Sequence, residues 1–222
     1  MERLREVLAF VNHKGGVGKT TTVQSLAAGL RLYGKGKFGV DADGHKRLPR
    51  VLIIDLDPQA CASFLFGWSE TQNVGKPTVY DALVQQSNLP IYRVREGIYL
   101  APAASRLISI EPFLNQRAVP RKVLYRLLAK PLNELSGTEL ADEGVTTVTE
   151  AFDYVLIDCP PAMSLLTYNA LTAATSVVLP VQLEVLATKG IAEIINAIEE
   201  TREDLNPDLD IRGLLMVMSN DQ

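Results

Sequence analysis

The sequence predicts an α/β fold in which helices cover both faces of a mostly parallel, twisted sheet, and three observations carry that expectation. Apolar runs of strand length alternate along the chain with segments of helical period. A glycine-rich stretch, His13 to Gly18, stands between the first such run and the first such helix. Two later apolar runs, Val51 to Asp55 and Tyr154 to Asp158, each close on a carboxylate, where α/β folds place ligand chemistry.

In order, strands are expected at Val7 to Asn12, Val51 to Asp55, Ile98 to Ala101, Tyr154 to Asp158, Ser176 to Val181 and Gly213 to Met218. A helix follows the first strand from near Thr20 to Tyr33 and Gly34, because Val23, Leu26, Ala27 and Leu30 share one face. Periodic stretches predict two more, from about Pro112 to Leu132 and from about Thr188 to Leu205, the second stopped by Asn206 and Pro207. Loops are expected at Gly34 to Pro49, Ser69 to Pro77 and Ser136 to Thr149. No repeat or composition shift divides residues 1–222, so they are read as one domain with an insertion at about 36–49. The last strand ends without a covering helix, and a further C-terminal segment is expected.

Composition narrows the classes. Of 222 residues, 47% are hydrophobic and 22% charged, the mixture of a globular chain and not of a disordered, collagen-like or coiled-coil one. No apolar run approaches the ~18 residues of a membrane helix, and the N-terminus lacks a signal-peptide core, so the expected location is the cytoplasm. Cys61 and Cys159 stand far apart without neighbouring cysteine or histidine ligands, and both are expected to be reduced, buried thiols. The net charge is −4, yet Arg93 to Lys130 holds eight basic residues against Glu96 and Glu111, so any affinity for DNA would come from a local patch.

The stretch Lys14-Gly15-Gly16-Val17-Gly18-Lys19-Thr20-Thr21 has the chemistry of a phosphate-binding loop. Its glycines let the backbone curl so that successive N–H groups face a polyphosphate, and the N-terminus of the following helix adds partial positive charge. Lys19 is the candidate for the β- and γ-phosphates, Thr20 for Mg²⁺ and Thr21 for the α-phosphate. A strict P-loop has glycine where this chain has His13, and in compensation there is a second lysine, Lys14.

This pattern resembles the deviant Walker A motif of the ParA/Soj/MinD family of partition and positioning P-loop ATPases, most closely the ParA/Soj branch. Two more segments resemble that family in the right order. Asp55-Leu56-Asp57-Pro58-Gln59 resembles its switch I, and Asp158, closing the strand from Tyr154, stands where a Walker B carboxylate holds Mg²⁺ through water. Leu166 to Leu171 resembles switch II, and Pro180 to Glu184 the next strand exit. A competing pair, Asp41 and Asp43, follows a weaker apolar stretch; with His45 it reads as a solvated hairpin. Cys159 lacks a basic partner and reads as packing.

The resemblance implies ATP and Mg²⁺ as cofactors and hydrolysis of ATP to ADP and phosphate. It makes Lys14, Lys19 and Asp57 the catalytic residues. Lys14 would reach across an ATP-bound homodimer to the partner's phosphates, Asp57 would orient the attacking water, and Asp55 is a further candidate near the metal. It further implies plasmid or chromosome partition, nonspecific DNA binding, an activator of the centromere-binding type, and association with the nucleoid. Lys122, Arg126 and Lys130 recur every four residues and are the candidate DNA-binding stripe, with Arg121 and Arg117 nearby. Trp68 reads as core and Asn220 as a candidate for the base. The alternatives are a MinD-like membrane or cargo-positioning switch, which would need an amphipathic C-terminal helix, and a biosynthetic ligase of the dethiobiotin synthetase type. An iron–sulfur carrier lacks its cysteines.

Overall fold

The computed structural model describes residues 6–34, 47–130, 147–182 and 189–217. The expected insertion at 36–49 is therefore seen only from Arg47 onward, and Asp41, Asp43, His45, Glu184 and Asn220 lie outside the described residues.

Among the described residues, β1 (Glu6–Phe10), β2 (Val51–Asp55), β3 (Tyr92–Arg95), β4 (Ile98–Ala101), β5 (Tyr154–Asp158), β6 (Ser176–Gln182) and β7 (Asp210–Val217) form one sheet in the order β3-β4-β2-β5-β1-β6-β7. Every pairing is parallel except β3 with β4. Between their ends the central strands are continuously apolar because both faces are covered. Val7 and Ala9 of β1, Leu52 and Ile54 of β2, and Val155 and Ile157 of β5 pack on one side, while Leu8 and Phe10, Val51 and Ile53, and Leu156 pack on the other. The period of two in a strand divides each run between two cores.

The smaller core lies under α1 (Lys19–Tyr33) and α2 (Cys61–Leu65), which contribute Val23, Ala27 and Ala62. The larger is closed by α3 (Val79–Gln85), α4 (Glu111–Asn115), α5 (Val123–Leu128), α6 (Val148–Ala151), α7 (Leu165–Ala173) and α8 (Lys189–Asp204). Trp68 is core, 7% exposed and set 4.3 Å from the ring of Tyr92.

Three expectations are corrected. The helix read over Pro112 to Leu132 is broken into α4, a 3₁₀ turn at Pro120–Lys122, and α5. Pro120 has no N–H to continue a helix and pushes Val119 out of the helical region, to φ −134° and ψ 88°. The strand β3 was missed because arginines at Arg93 and Arg95 interrupt its apolar run. They are exposed, and they alternate with the half-buried Tyr92 and Val94 on an edge strand. Within the loop expected to end at Thr149, α6 begins at Val148, where Thr147 and Glu150 form a reciprocal capping box.

The chain returning from the insertion is fastened by a buried ion pair. Arg47 donates to both carboxylate oxygens of Asp153 at 2.8 and 2.7 Å, and the Arg50 amide donates to the same carboxylate at 2.8 Å. Their side chains are only 11% and 2% exposed. Asp153→Ala removes both of these guanidinium bonds and the acceptor of the Arg50 amide from a buried position, and we expect a loss of about 3–5 kcal/mol in stability, measured by urea unfolding.

Candidate nucleotide site

The site gathers where β1, β2 and β5 end, since Asp55 and Asp158 are register partners on β2 and β5, and Phe10 faces Asp158 from β1. Asn12 opens the loop. Its amide donates to the Pro180 carbonyl at the β6 end at 2.6 Å, and its side-chain oxygen accepts from the Lys14 amide at 2.9 Å. This buried residue was not singled out from sequence, although an asparagine between strand and turn is a signal of such a local bond. Gly16 and Gly18 then take φ of +74° and +80°, a region that costs residues with a Cβ, and Gly18 caps α1.

Lys19, at the first position of α1, is 6% exposed, and its ammonium donates to the carbonyls of Lys14 at 3.0 Å and Asn12 at 3.3 Å. Burial pulls its pKa down, against the opposing pull of Asp158. The Thr20 hydroxyl donates to Oδ2 of Asp158 at 2.7 Å, so the two predicted metal residues touch. Oδ1 of Asp158 is buried with no hydrogen-bond partner. A carboxylate with one oxygen on a threonine and the other unmatched suits a divalent cation and its water shell. Burial pushes the Asp158 carboxyl up to about 7, with neighbouring Asp55 adding to it.

Lys14, Gly15, Gly16 and Thr21 are exposed, while Val17 is buried under the loop. His13 is a loop residue, as expected, and its Nε2 lies 3.0 Å from Glu193 of α8. Asp57 is half-buried, and its Oδ1 accepts from the Gln59 amide at 2.9 Å.

Asp55, the further candidate near the metal, stands beside Asp158 as its register partner on β2. It is fully buried, and both oxygens are occupied by the protein: Oδ2 by the amide and hydroxyl of Ser63, each at 2.7 Å, and Oδ1 by the Asp57 amide at 3.1 Å. Cys159 is buried, whereas Cys61, expected to be buried, is exposed at the start of α2.

The basic stripe does not form as one helical face. Lys122 falls in the 3₁₀ turn with its ammonium 4.9 Å from the Tyr125 ring, Arg126 is exposed on α5, and Lys130 lies beyond α5 and donates to the Gln86 carbonyl. Arg117 donates to the Val84 carbonyl, and Arg121 pairs with Glu200 over the ring of Tyr168. The segment that resembles switch II lies within the buried helix α7, whose Asn169 donates to the carbonyls of Pro120 and Leu165 and accepts from the Leu124 amide. A groove of about 1000 Å³, lined among others by Trp68, Lys76, Asp81, Arg106 and Lys130, lies apart from the loop and includes none of its residues.

A buried lysine in a glycine-turned loop between β1 and α1, with a threonine hydroxyl on an acidic strand end, defines a P-loop NTPase site. A family model described as an AAA domain matches residues 5–211. The chromosome partitioning protein ParA of Caulobacter vibrioides is 36% identical over 215 residues, which cover 96% of this chain and 69% of that protein. The sporulation initiation inhibitor protein Soj of Bacillus subtilis is 35% identical over 216 residues, 96% of this chain and 72% of its own. Among solved structures, a cobyrinic acid a,c-diamide synthase from Mycobacterium smegmatis with bound ADP and magnesium superposes with a TM-score of 0.77 at 35% identity. That match covers 97% of this chain and 76% of the other. The chain belongs to the ParA/Soj family of P-loop ATPases.

No described helix is long and apolar enough to cross a membrane.

Proposed function

We propose that the chain is an ATP-driven dimerisation switch that hydrolyses ATP to ADP and phosphate and serves the partition of a plasmid or chromosome. The observation that carries this reading is the 2.7 Å contact of Thr20 with Asp158 beside the buried Lys19. These groups are assembled for a metal-bound polyphosphate.

Lys19, released from the two carbonyls it now holds, pairs with the β- and γ-phosphates, and the loop amides from Gly15 to Thr21 take the remaining oxygens. Thr20 and Asp158, the latter through water, would hold Mg²⁺, which when bound would spread the charge of the phosphates. Asp57, half-buried and free of the structural duty that Asp55 carries, orients the attacking water. Lys14, exposed at the loop's start, completes the site of a second copy. The γ-phosphate thereby holds two protomers together, and its loss releases them.

The ATP dimer binds DNA without sequence preference, with Arg126 as the exposed member of the basic group and Lys122 and Lys130 as flanking contributors. It answers to a cargo-bound activator of the centromere-binding type, in a single ATPase domain that is cytoplasmic and associates with the nucleoid. The test is anisotropy of a random-sequence duplex with Asp57→Ala protein, under Mg-ATP and Mg-ADP at two salt concentrations. Salt-sensitive binding with ATP alone is expected. Dimerisation without DNA binding in either state overturns the DNA role.

The likeness to a synthase favours one competing reading, an ATP-dependent biosynthetic ligase. Such an enzyme couples ATP use to an organic acceptor, so steady phosphate release with no acceptor present supports the switch instead.

A further inference from the structure

We infer that Ser63 is a positioning residue for Asp57, acting through Asp55. This rests on the reading of Asp57 as the residue that orients water.

Ser63 is fully buried on α2. Its amide and its hydroxyl both donate to Oδ2 of Asp55 at 2.7 Å, and its Oγ accepts from the Ala103 amide at 2.9 Å. The direction of these bonds is forced. A serine hydroxyl has one hydrogen and an amide can only donate, so the hydroxyl proton must point at Asp55 while Ala103 occupies a lone pair. The carboxylate is thereby held in one rotation, tied to the exit of β4.

The other oxygen of that carboxylate carries Asp57, whose amide donates to Oδ1 of Asp55 at 3.1 Å. Downstream, the carbonyl of Asp57 accepts from the Ala60 amide at 2.8 Å, and Ala60 sits at φ +51°, a conformation that costs an alanine. Such a turn persists only where its surroundings enforce it, and the Asp55 to Ser63 bonds span it from both ends. Without the hydroxyl, Asp55 keeps one of two bonds at Oδ2 and Ala103 loses its acceptor. The carboxylate can then turn, and Asp57 moves with it.

Ser63→Ala should lower kcat for ATP by about tenfold or more, since misplacement near 1 Å is enough for such a loss, with KM for ATP unchanged within about twofold. Ser63→Thr, which restores the hydroxyl, should return kcat to within about threefold of the parent. In the Asp57→Ala background, Ser63→Ala should leave ATP-dependent dimerisation unchanged, a readout that a general loss of structure would move. An unchanged kcat in Ser63→Ala, a parallel loss of ATP affinity, or failure of threonine to restore turnover each overturns the role. If the unaltered protein releases no phosphate while the same preparation binds ATP, the hydrolysis reading itself fails and takes this role with it.

Discussion

Lys14→Ala should abolish ATP turnover while keeping much of the nucleotide affinity, whereas Lys19→Ala should lose both. The two lysines open and close the same loop but stand in different surroundings. Lys19 is 6% exposed, already desolvated, and holds the carbonyls of Asn12 and Lys14, so its loss removes the charge beneath the phosphates and two bonds that shape the loop. Lys14 is exposed, and its backbone amide, not its side chain, is what fastens it to Asn12. Truncating that side chain leaves the loop's own geometry intact. A cation supplied from outside to a phosphoryl transfer site is worth about 10³-fold or more in rate, because it acts on charge that develops only during reaction. Phosphate release under saturating ATP, set beside titration of a fluorescent ATP analogue, separates the two lysines. Full turnover by Lys14→Ala would sink the trans role.

Asp57→Ala protein should run as a monomer of 24.3 kDa with Mg-ADP and at twice that mass with Mg-ATP. The expectation follows from what the substitution leaves behind. Among the described residues the side chain of Asp57 bonds the nearby Gln59 amide, and the bond from its backbone to Asp55 survives in alanine, so the fold around the loop should persist while hydrolysis stops. With the γ-phosphate retained, the differential contact that favours the dimer is retained too. Light scattering in both nucleotides reads the result directly. One mass in both states would defeat the switch.

Most of the site was legible before the fold was known. A lysine after closely spaced glycines and a threonine next to it are local requirements of phosphate and metal chemistry, while the metal role expected of Asp158 came from the resemblance of its strand end to a Walker B segment; Thr20 and Asp158 meet at 2.7 Å although 138 positions separate them. What periodicity misjudged was the helix through Pro120, where apolar spacing continued across a residue that cannot carry the hydrogen bonds. The basic stripe went with it, because i, i+4 spacing means one face only while the helix is unbroken. Cys61 was misplaced for another reason: burial is a property of what packs from elsewhere in the chain, which the local sequence does not show.

The sequence by itself determined the alternation of strands and helices, the phosphate loop and the acidic strand ends, because apolar period and turn chemistry act over a few residues. Only the tertiary structure decided how the carboxylates of Asp55 and Asp57 are surrounded. Asp55 and Asp57 are equivalent as letters in D-x-D. Ser63 of α2, its hydroxyl fixed by the Ala103 amide at the β4 exit, bonds Oδ2 of the first, while the second, half-buried, accepts from the Gln59 amide. A buried carboxylate must be matched by donors, and although Ser63 stands only eight positions from Asp55, the Ala103 amide that fixes its hydroxyl comes from 40 positions further on.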